Sequence, residues 1–146
     1  MATITHAREA VVQTLYAKEL GNEKAVEQFD ELLKERKIKG SKAEFAKKLL
    51  NGVLEHMDEI DEIIKNHLID WSFDRLDKVD KQILRVGVYE LKYTDTPFQI
   101  IIDEAVKIAK HFSEDKSKSF VNGILDRVAK EIRVVESEQS QSQSHQ

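Results

Sequence analysis

Apolar residues recur every three or four positions along almost the whole chain, and this spacing limits the possible folds more than any other feature of the sequence. The pattern is present in Val11, Val12 and Leu15 and again in Val121 and Leu125. Residues at these intervals form one face of an α-helix. The strict alternation typical of strands is absent, and the chain contains a single proline. The sequence therefore predicts an all-α protein.

Two Asn-Gly pairs test this prediction, because the dipeptide is typical of tight β-turns. They occupy positions 51–52 and 122–123. Apolar residues on both sides of each pair keep the helical spacing without a shift in phase, so both pairs are predicted to lie inside helices. A glycine in a helix interior costs about 1 kcal/mol relative to alanine. We therefore expect each glycine to allow a close approach by the backbone of a neighbouring element.

The segments around the two pairs also resemble each other. Positions 49–55 read LLNGVLE and positions 120–126 read FVNGILD. Each segment closes a set of three predicted helices, which indicates a weak internal repeat. We predict two three-helix bundles, about 1–68 and 74–132, packed on a shared core within a single domain, 1–133.

The less regular parts of the chain give the remaining predictions about the fold. The second helix is predicted from about Glu23 to Lys39. The third is predicted from Lys42 to about Leu68, with a bend along its length as the alternative to a straight helix. Trp71 and Phe73 follow in a short connector, where we expect them to fill a junction. Residues 134–146 are almost entirely polar, and we predict a disordered tail because they offer almost nothing to bury.

Enzymatic and metal-binding chemistry is not indicated by the sequence. The chain has no cysteine, which excludes disulfides, thiolate zinc sites and a cysteine nucleophile. His56 and His67 fall on one helix face but lie about 16 Å apart along the axis, too far to share a metal ion. No phosphate-binding loop, dinucleotide fingerprint or zinc-protease motif occurs. We predict no catalytic residue, no metal site and no cofactor.

Charge is distributed unevenly, although the formal net charge is only −4. Positions 34–48 carry seven lysine and arginine residues against two glutamates, and an acidic stretch, 55–62, follows. Solvated helix faces explain most such runs. No apolar run is long enough to cross a bilayer, and we expect a cytoplasmic protein without a membrane segment.

Two aromatic residues and a group of lysines suggest a binding function. Tyr16 and Phe120 flank the apolar stripes of their helices, and Lys116 and Lys118 closely precede Phe120. Aromatic rings stack on unpaired bases while lysines attract phosphates, so this combination suits single-stranded RNA. Packing at the edge of the core is the alternative for both rings. Arg8, on the apolar stripe of the first helix, either lies along the protein surface or stands beside a binding surface. These residues alone favour RNA binding and protein binding equally.

Four segments carry a family resemblance that covers nearly all of residues 1–132. They occur in this order along the chain: AREAVVQTLYAKEL, VDKQILRVGVYELKY, PFQIIIDEAVKIAKHF and SFVNGILDRVAKEI. Together they resemble the NusB family of transcription antitermination factors. The resemblance implies a helical fold of two three-helix bundles on a common core, in a small bacterial protein that catalyses no reaction.

The resemblance also implies an RNA target and protein partners. Members of the family bind the boxA element of nascent RNA together with the small-subunit ribosomal protein that acts as Nus factor E. The heterodimer joins the elongation complex of RNA polymerase and makes it resistant to termination, especially on ribosomal RNA operons. We therefore expect this chain to be an RNA-binding antitermination factor.

Position by position, the resemblance assigns functional residues. Asp80 falls in the region associated with the protein partner. The RNA contacts fall on six residues: His6, Arg8, Tyr16, Lys118, Phe120 and Asn122. A structural hydrogen bond between helices is the alternative role for Asn122. Many relatives carry several consecutive arginines near the start, whereas the segment THAREA supplies one arginine and one histidine. The basic stretch 34–48 or the protein partner would then supply the missing positive charge.

A different class of function stays open at this point. The same helix faces would also suit a non-enzymatic protein-interaction scaffold or a homodimer. A NusB-like domain that precedes an RNA methyltransferase is not favoured, because no catalytic domain follows the polar tail.

Overall fold

Seven α-helices and one short 3₁₀-helix make up the described part of the protein. A computed structural model describes the backbone of residues 2–112 and 115–144, with the side chains of 2–112 and 116–133. The helices are α1 Ile4–Glu19, α2 Phe29–Glu35, α3 Gly40–Glu55, α4 Met57–Asn66, α5 Lys78–Tyr93, α6 Phe98–Phe112 and α7 Asp115–Ser144, with the 3₁₀-helix at Phe73–Arg75. No strand occurs in the described residues. The all-α prediction is therefore confirmed.

Helix α5 is the centre of the molecule. Every residue from Asp80 to Leu91 is buried. The helix packs against α1, α3 and α4 and also against α6 and α7. All seven helices contribute buried apolar residues to one continuous core. A helix that is covered on all sides links the two groups of helices, which is how they share a core.

Helices α1 and α5 run in opposite directions. Arg8, near the start of α1, bonds to Glu90 near the end of α5. Glu19, at the end of α1, meets Lys81 and Arg85 in the first half of α5 at 3.5 and 3.1 Å. These contacts define two ends of the helix pair. We call them the Glu90 end, which holds the start of α1, and the Asp80 end, which holds the start of α5.

Side chains at the helix ends fix where helices begin and connect. The Asp77 carboxylate accepts hydrogen bonds from the backbone N–H groups of Val79 and Asp80 at 3.0 and 3.1 Å, which caps the start of α5. The Arg133 guanidinium donates hydrogen bonds to backbone carbonyls at the other end of α5, including Leu91 at 2.8 Å and Thr94 at 3.0 Å. A cation at a helix C-terminus is favoured by the helix dipole. Arg133 therefore fastens α7 to the end of the central helix.

Two predicted helices differ from those observed. The second is shorter than predicted, because turns occupy the residues that precede α2 and only Phe29–Glu35 is helical. The third is two helices, since the backbone leaves the helical conformation at His56 (φ −109°, ψ 20°). After this break, α4 buries Ile60 and Ile64 and packs against α5. The apolar spacing continues through the break, which is why the sequence allowed a bend but did not show where it lies.

Both Asn-Gly pairs lie inside helices, as predicted, but the two glycines differ in their surroundings. A Cβ at Gly52 in α3 would overlap the Tyr89 ring of α5. A close approach is present there as predicted, but a side chain makes it and not the backbone that the sequence led us to expect. A Cβ at Gly123 in α7 would meet no atom within 4 Å. The prediction of close packing is therefore wrong for Gly123, which faces open space.

The end of the chain also differs from the expectation based on its composition. Helix α7 continues to Ser144 and so includes most of the segment 134–146, for which the sequence predicts a disordered tail. Adding a residue to an existing helix is much easier than nucleating a new one, so a packed helix can extend into a polar segment. No helix in the described residues is both long and apolar enough to span a membrane.

Candidate nucleic-acid interface

An open groove with two aromatic residues lies at the Asp80 end of the molecule. It has a volume of about 420 Å³. We call it the aromatic groove and define it by its lining residues: Trp71, Arg75, Leu76, Asp77, Asp80, Lys116, Ser117 and Phe120. The Trp71 and Phe120 ring centroids are 6.1 Å apart, with the ring planes tilted by 55°. The connector before α5 and the first turns of α7 therefore form one surface.

Trp71 is not packed in a junction, although the sequence predicted this for it and for Phe73. Its side chain is 62% exposed, the highest value among the large apolar residues in the described part of the chain. Phe73 is half-buried and lies under the ammonium groups of Lys65 and Lys81, at 5.2 and 4.6 Å from the ring centroid. An exposed tryptophan beside a second aromatic ring is typical of an interaction surface.

Asp80 borders the same groove as Phe120. It is only 6% exposed, and its carboxylate accepts a hydrogen bond of 2.9 Å from the Ser117 hydroxyl. That bond joins the start of α5 to the start of α7. The sequence assigned Asp80 to a protein partner and Phe120 to RNA, and the structure places the two at one site. A ligand of either kind that fills the groove would therefore contact both residues.

The three predicted contacts on α7 do not share one helix face. Lys118 and Asn122 lie one turn apart on the same face, whereas Phe120 is turned about 200° from Lys118 at 100° per residue. Phe120 and Lys118 are half-buried and Asn122 is exposed. Within the part of the chain whose side chains are described, the Asn122 side chain forms no hydrogen bond. The structure therefore does not show the helix–helix hydrogen bond that was the alternative for Asn122.

The predicted contacts on α1 are spread along the helix. His6 is exposed, and its Nδ1 accepts a hydrogen bond of 2.9 Å from the Thr3 N–H, which caps the start of α1. Tyr16 is half-buried and lies about 15 Å further along the axis. Since α1 runs towards the Asp80 end, Tyr16 lies nearer the aromatic groove and His6 lies at the opposite end.

Arg8 lies in the protein interior. It is 4% exposed, and its Nε and Nη2 atoms donate to the Glu90 carboxylate at 3.0 and 2.8 Å. The guanidinium also stacks over the Phe45 ring at 5.0 Å. Burial raises the pKa of the Glu90 carboxyl above its usual value, and the hydrogen bonds from Arg8 partly oppose this. The arrangement differs from both roles considered for Arg8, because the side chain fixes α1 against α5 and is not at the surface.

Comparison with known proteins identifies the family. The model of the NusB family matches residues 5–130. The chain belongs to the NusB family. It is 47% identical over 133 residues to the transcription antitermination protein NusB of a Nitratiruptor species, a match that covers 91% of this chain and 96% of the relative. The resemblance seen in the four sequence segments is thereby confirmed.

Solved structures of NusB proteins share the fold. T. maritima NusB superposes with a TM-score of 0.82 at 36% identity, covering 89% of this chain and 92% of that chain. A crystal structure of the antitermination factors NusB and NusE in complex with dsRNA matches with a TM-score of 0.78 at 36% identity, covering 86% of this chain and 95% of that chain. Membership of this family also confirms the prediction that the chain is not an enzyme.

Proposed function

We propose that this NusB-family chain is an RNA-binding transcription antitermination factor. In this proposal it binds boxA RNA together with the ribosomal protein that acts as Nus factor E and acts on the elongation complex of RNA polymerase to keep ribosomal RNA operons transcribed. The observation that carries the proposal is the aromatic groove, which brings Phe120 and Asp80 to one site. The relative crystallised with NusE and dsRNA supports the two classes of ligand, a protein partner of this kind and RNA.

The aromatic groove has the chemistry of a protein-binding surface. Trp71, Leu76 and Phe120 supply apolar area, and the side chains around them carry both charges. Interfaces of this kind have an aromatic centre and a polar rim. We assign the groove to the ribosomal protein, with Asp80 as the anchored carboxylate beneath it.

The RNA would then pass beside this partner. Phe120 at the edge of the groove and Tyr16 near the end of α1 offer rings for stacking on unpaired bases. Lys118 and Asn122 supply a cation and an amide on the face of α7 turned about 200° from Phe120, and His6 extends the path along α1. Arg8 supports this surface from below by fixing α1 to Glu90. Because RNA and partner meet at Phe120, each should strengthen the binding of the other.

The test is fluorescence anisotropy with a short boxA-like single-stranded RNA, with and without the ribosomal protein, over a salt series. Scrambled single-stranded RNA of equal length is the control, and double-stranded RNA, the form present in the relative's complex, is measured for comparison. We expect tighter binding when the partner is present and an affinity that falls as salt rises. If no sequence-dependent binding occurs in either condition, the RNA assignment is wrong.

A homodimer or interaction scaffold is the second candidate function, and the exposure of Trp71 is the observation that favours it. A second copy covering the aromatic groove would hide Phe120 as well. Analytical ultracentrifugation across a concentration series separates the two candidates. A dimer that persists when boxA RNA and partner are in excess would support the scaffold.

A further inference from the structure

A second cleft, at the Glu90 end of the molecule, is lined almost entirely by basic side chains. Its volume is about 490 Å³, and it shares no lining residue with the aromatic groove. We call it the basic cleft and define it by its lining residues: Ala2, His6, Arg36, Lys37 and Lys39. The start of α1 forms one wall, and the connection between α2 and α3 forms the other.

The wall formed by the α2–α3 connection is anchored to the core. Ile38 is 3% exposed, and its backbone N–H donates to the Leu33 carbonyl at 2.9 Å. Its neighbours Lys37 and Lys39 are exposed. Lys37 has a positive φ of 58°, which turns the chain sharply after α2. Because Ile38 is fixed in the interior, the two lysines are held at the surface.

Two further contacts attach this wall to α1 and the residues before it. The Lys42 ammonium donates to the backbone carbonyl of Ala2 at 2.7 Å. Arg36 donates to the side-chain carbonyl of Gln13 in α1. The cleft is therefore built by contacts between elements and does not depend on a loose loop.

The positive charges of the basic cleft are not neutralised by the described part of the protein. Arg36, Lys37 and Lys39 line it without a carboxylate, and in the described residues Lys37 and Lys39 form no ion pair. Other lysines of the same basic stretch do have partners. Lys34 lies 3.8 Å from Glu31, and Lys47 lies 3.8 Å from a carboxylate of α3. Like charges held together repel one another, so an anion in the cleft would relieve that repulsion.

We propose that the basic cleft binds phosphates of the single-stranded RNA backbone. This inference rests on the proposed function, and it extends the RNA path from the aromatic residues along α1 to His6 and beyond. The lining contains no aromatic ring apart from the His6 imidazole, so it offers phosphate attraction rather than base stacking. Contacts of this kind add affinity without adding sequence preference. They would supply the positive charge that the first residues of the chain largely lack.

The test compares the double variant Lys37→Gln/Lys39→Gln with wild type, using boxA-like and scrambled RNA across a salt series in the presence of the ribosomal protein. We expect about tenfold weaker binding at low salt and a salt slope smaller by about 1.4, since each phosphate contact to a single strand contributes about 0.7. The ratio of affinities for boxA-like and scrambled RNA should not change. Lys39→Gln alone should give about half of the change in slope.

The matched control is Lys24→Gln/Lys130→Gln, which removes the same charge from exposed positions that line neither the basic cleft nor the aromatic groove. It should bind RNA nearly as wild type does. This inference alone would be overturned if the cleft variant bound RNA with the affinity and salt slope of the wild type. An equal loss of affinity in the control variant, or a changed ratio of affinities for boxA-like and scrambled RNA, would also overturn it. Failure of the wild type to bind boxA-like RNA even with the partner would instead overturn the proposed function. Circular dichroism checks that each variant is folded. We expect the fold to stay intact, because the substituted lysines are exposed and the connection that carries them is anchored by Ile38.

Discussion

At the scale of single residues, the most consequential contact is the buried ion pair of Arg8 and Glu90. The two residues are 82 positions apart in the chain, so no local pattern could reveal the partner of Arg8. The helical spacing did show that Arg8 belongs on the apolar stripe of α1. Burial of the Arg8 guanidinium could be predicted from this position only if Glu90, which neutralises its charge, were known to lie opposite.

Arg8→Ala is expected to lower the free energy of unfolding by about 3–5 kcal/mol at neutral pH, because it leaves the Glu90 carboxylate buried without a partner. Urea denaturation measures the change. Arg8→Met/Glu90→Leu is the control, and it should recover most of the loss because neither side chain then carries a charge. If the double variant were as unstable as Arg8→Ala, the loss would come from packing.

The same variant should show a characteristic pH dependence. Burial raises the folded-state pKa of Glu90 above its ordinary value of 4.5. A carboxyl group with a raised pKa favours folding most below its unfolded pKa and progressively less as pH rises through its folded pKa. In Arg8→Ala the lowering influence of Arg8 is gone. The stability deficit should therefore be small near pH 4.5 and grow towards neutral pH, and a constant deficit would contradict this account.

At the scale of elements, the sequence predicted the existence of helices well and their ends less well. The Asn-Gly pairs were placed correctly inside α3 and α7 because helical phase depends only on neighbouring residues. The position of the break at His56 was missed because the apolar spacing is the same on both sides of it, with Val53 before the break and Ile60 and Ile64 after it. The exposure of Trp71 could not be predicted either, since a short connector has no periodicity from which to infer a face.

The two interior glycines provide a matched pair of substitutions. Gly123→Ala should raise the free energy of unfolding by about 0.5–1 kcal/mol, because the new methyl group enters open space and alanine favours the helix. Gly52→Ala should lower it by about 1–3 kcal/mol, because the methyl group would overlap the Tyr89 ring. Thermal and urea unfolding of both variants give the comparison. Equal effects would show that the helices do not pack as described.

Arg133 allows a test of where the folded domain ends. A chain truncated after Arg133 should retain the stability of the full chain, because the described contacts of α7 with the core precede that point. Within the truncated chain, Arg133→Ala should reduce the free energy of unfolding by about 1.5–3 kcal/mol, the range for hydrogen bonds to a charged group. Loss of stability on truncation alone would mean that residues 134–146 contribute to the fold.

At the scale of the whole molecule, the central helix separates two surfaces of different chemistry. The aromatic groove lies at the Asp80 end and the basic cleft at the Glu90 end, with α1 running between them. The family and the helical fold were predictable from the sequence, whereas the roles assigned to single site residues stay predictions. The association of Asp80 with Phe120, and of His6 with the α2–α3 connection, depends on packing between segments that are distant in the chain.

This separation predicts that changes at the two surfaces act independently. Trp71→Ala should weaken assembly with the ribosomal protein, and Lys37→Gln/Lys39→Gln should weaken RNA binding. When the variants are combined, their effects on RNA affinity measured with the partner present should add to within about 0.5 kcal/mol. A larger interaction energy in this cycle would show that the two surfaces are coupled through α1.

Trp71 is the only tryptophan of the chain, and it is exposed at the aromatic groove. Its fluorescence therefore comes from the surface assigned to the protein partner and not from the core. A ligand that covers the indole ring should shift its emission to shorter wavelength, whereas RNA held only in the basic cleft should leave the emission unchanged. The protein thus carries a built-in optical reporter, which can follow the order in which its two surfaces are occupied without any added label.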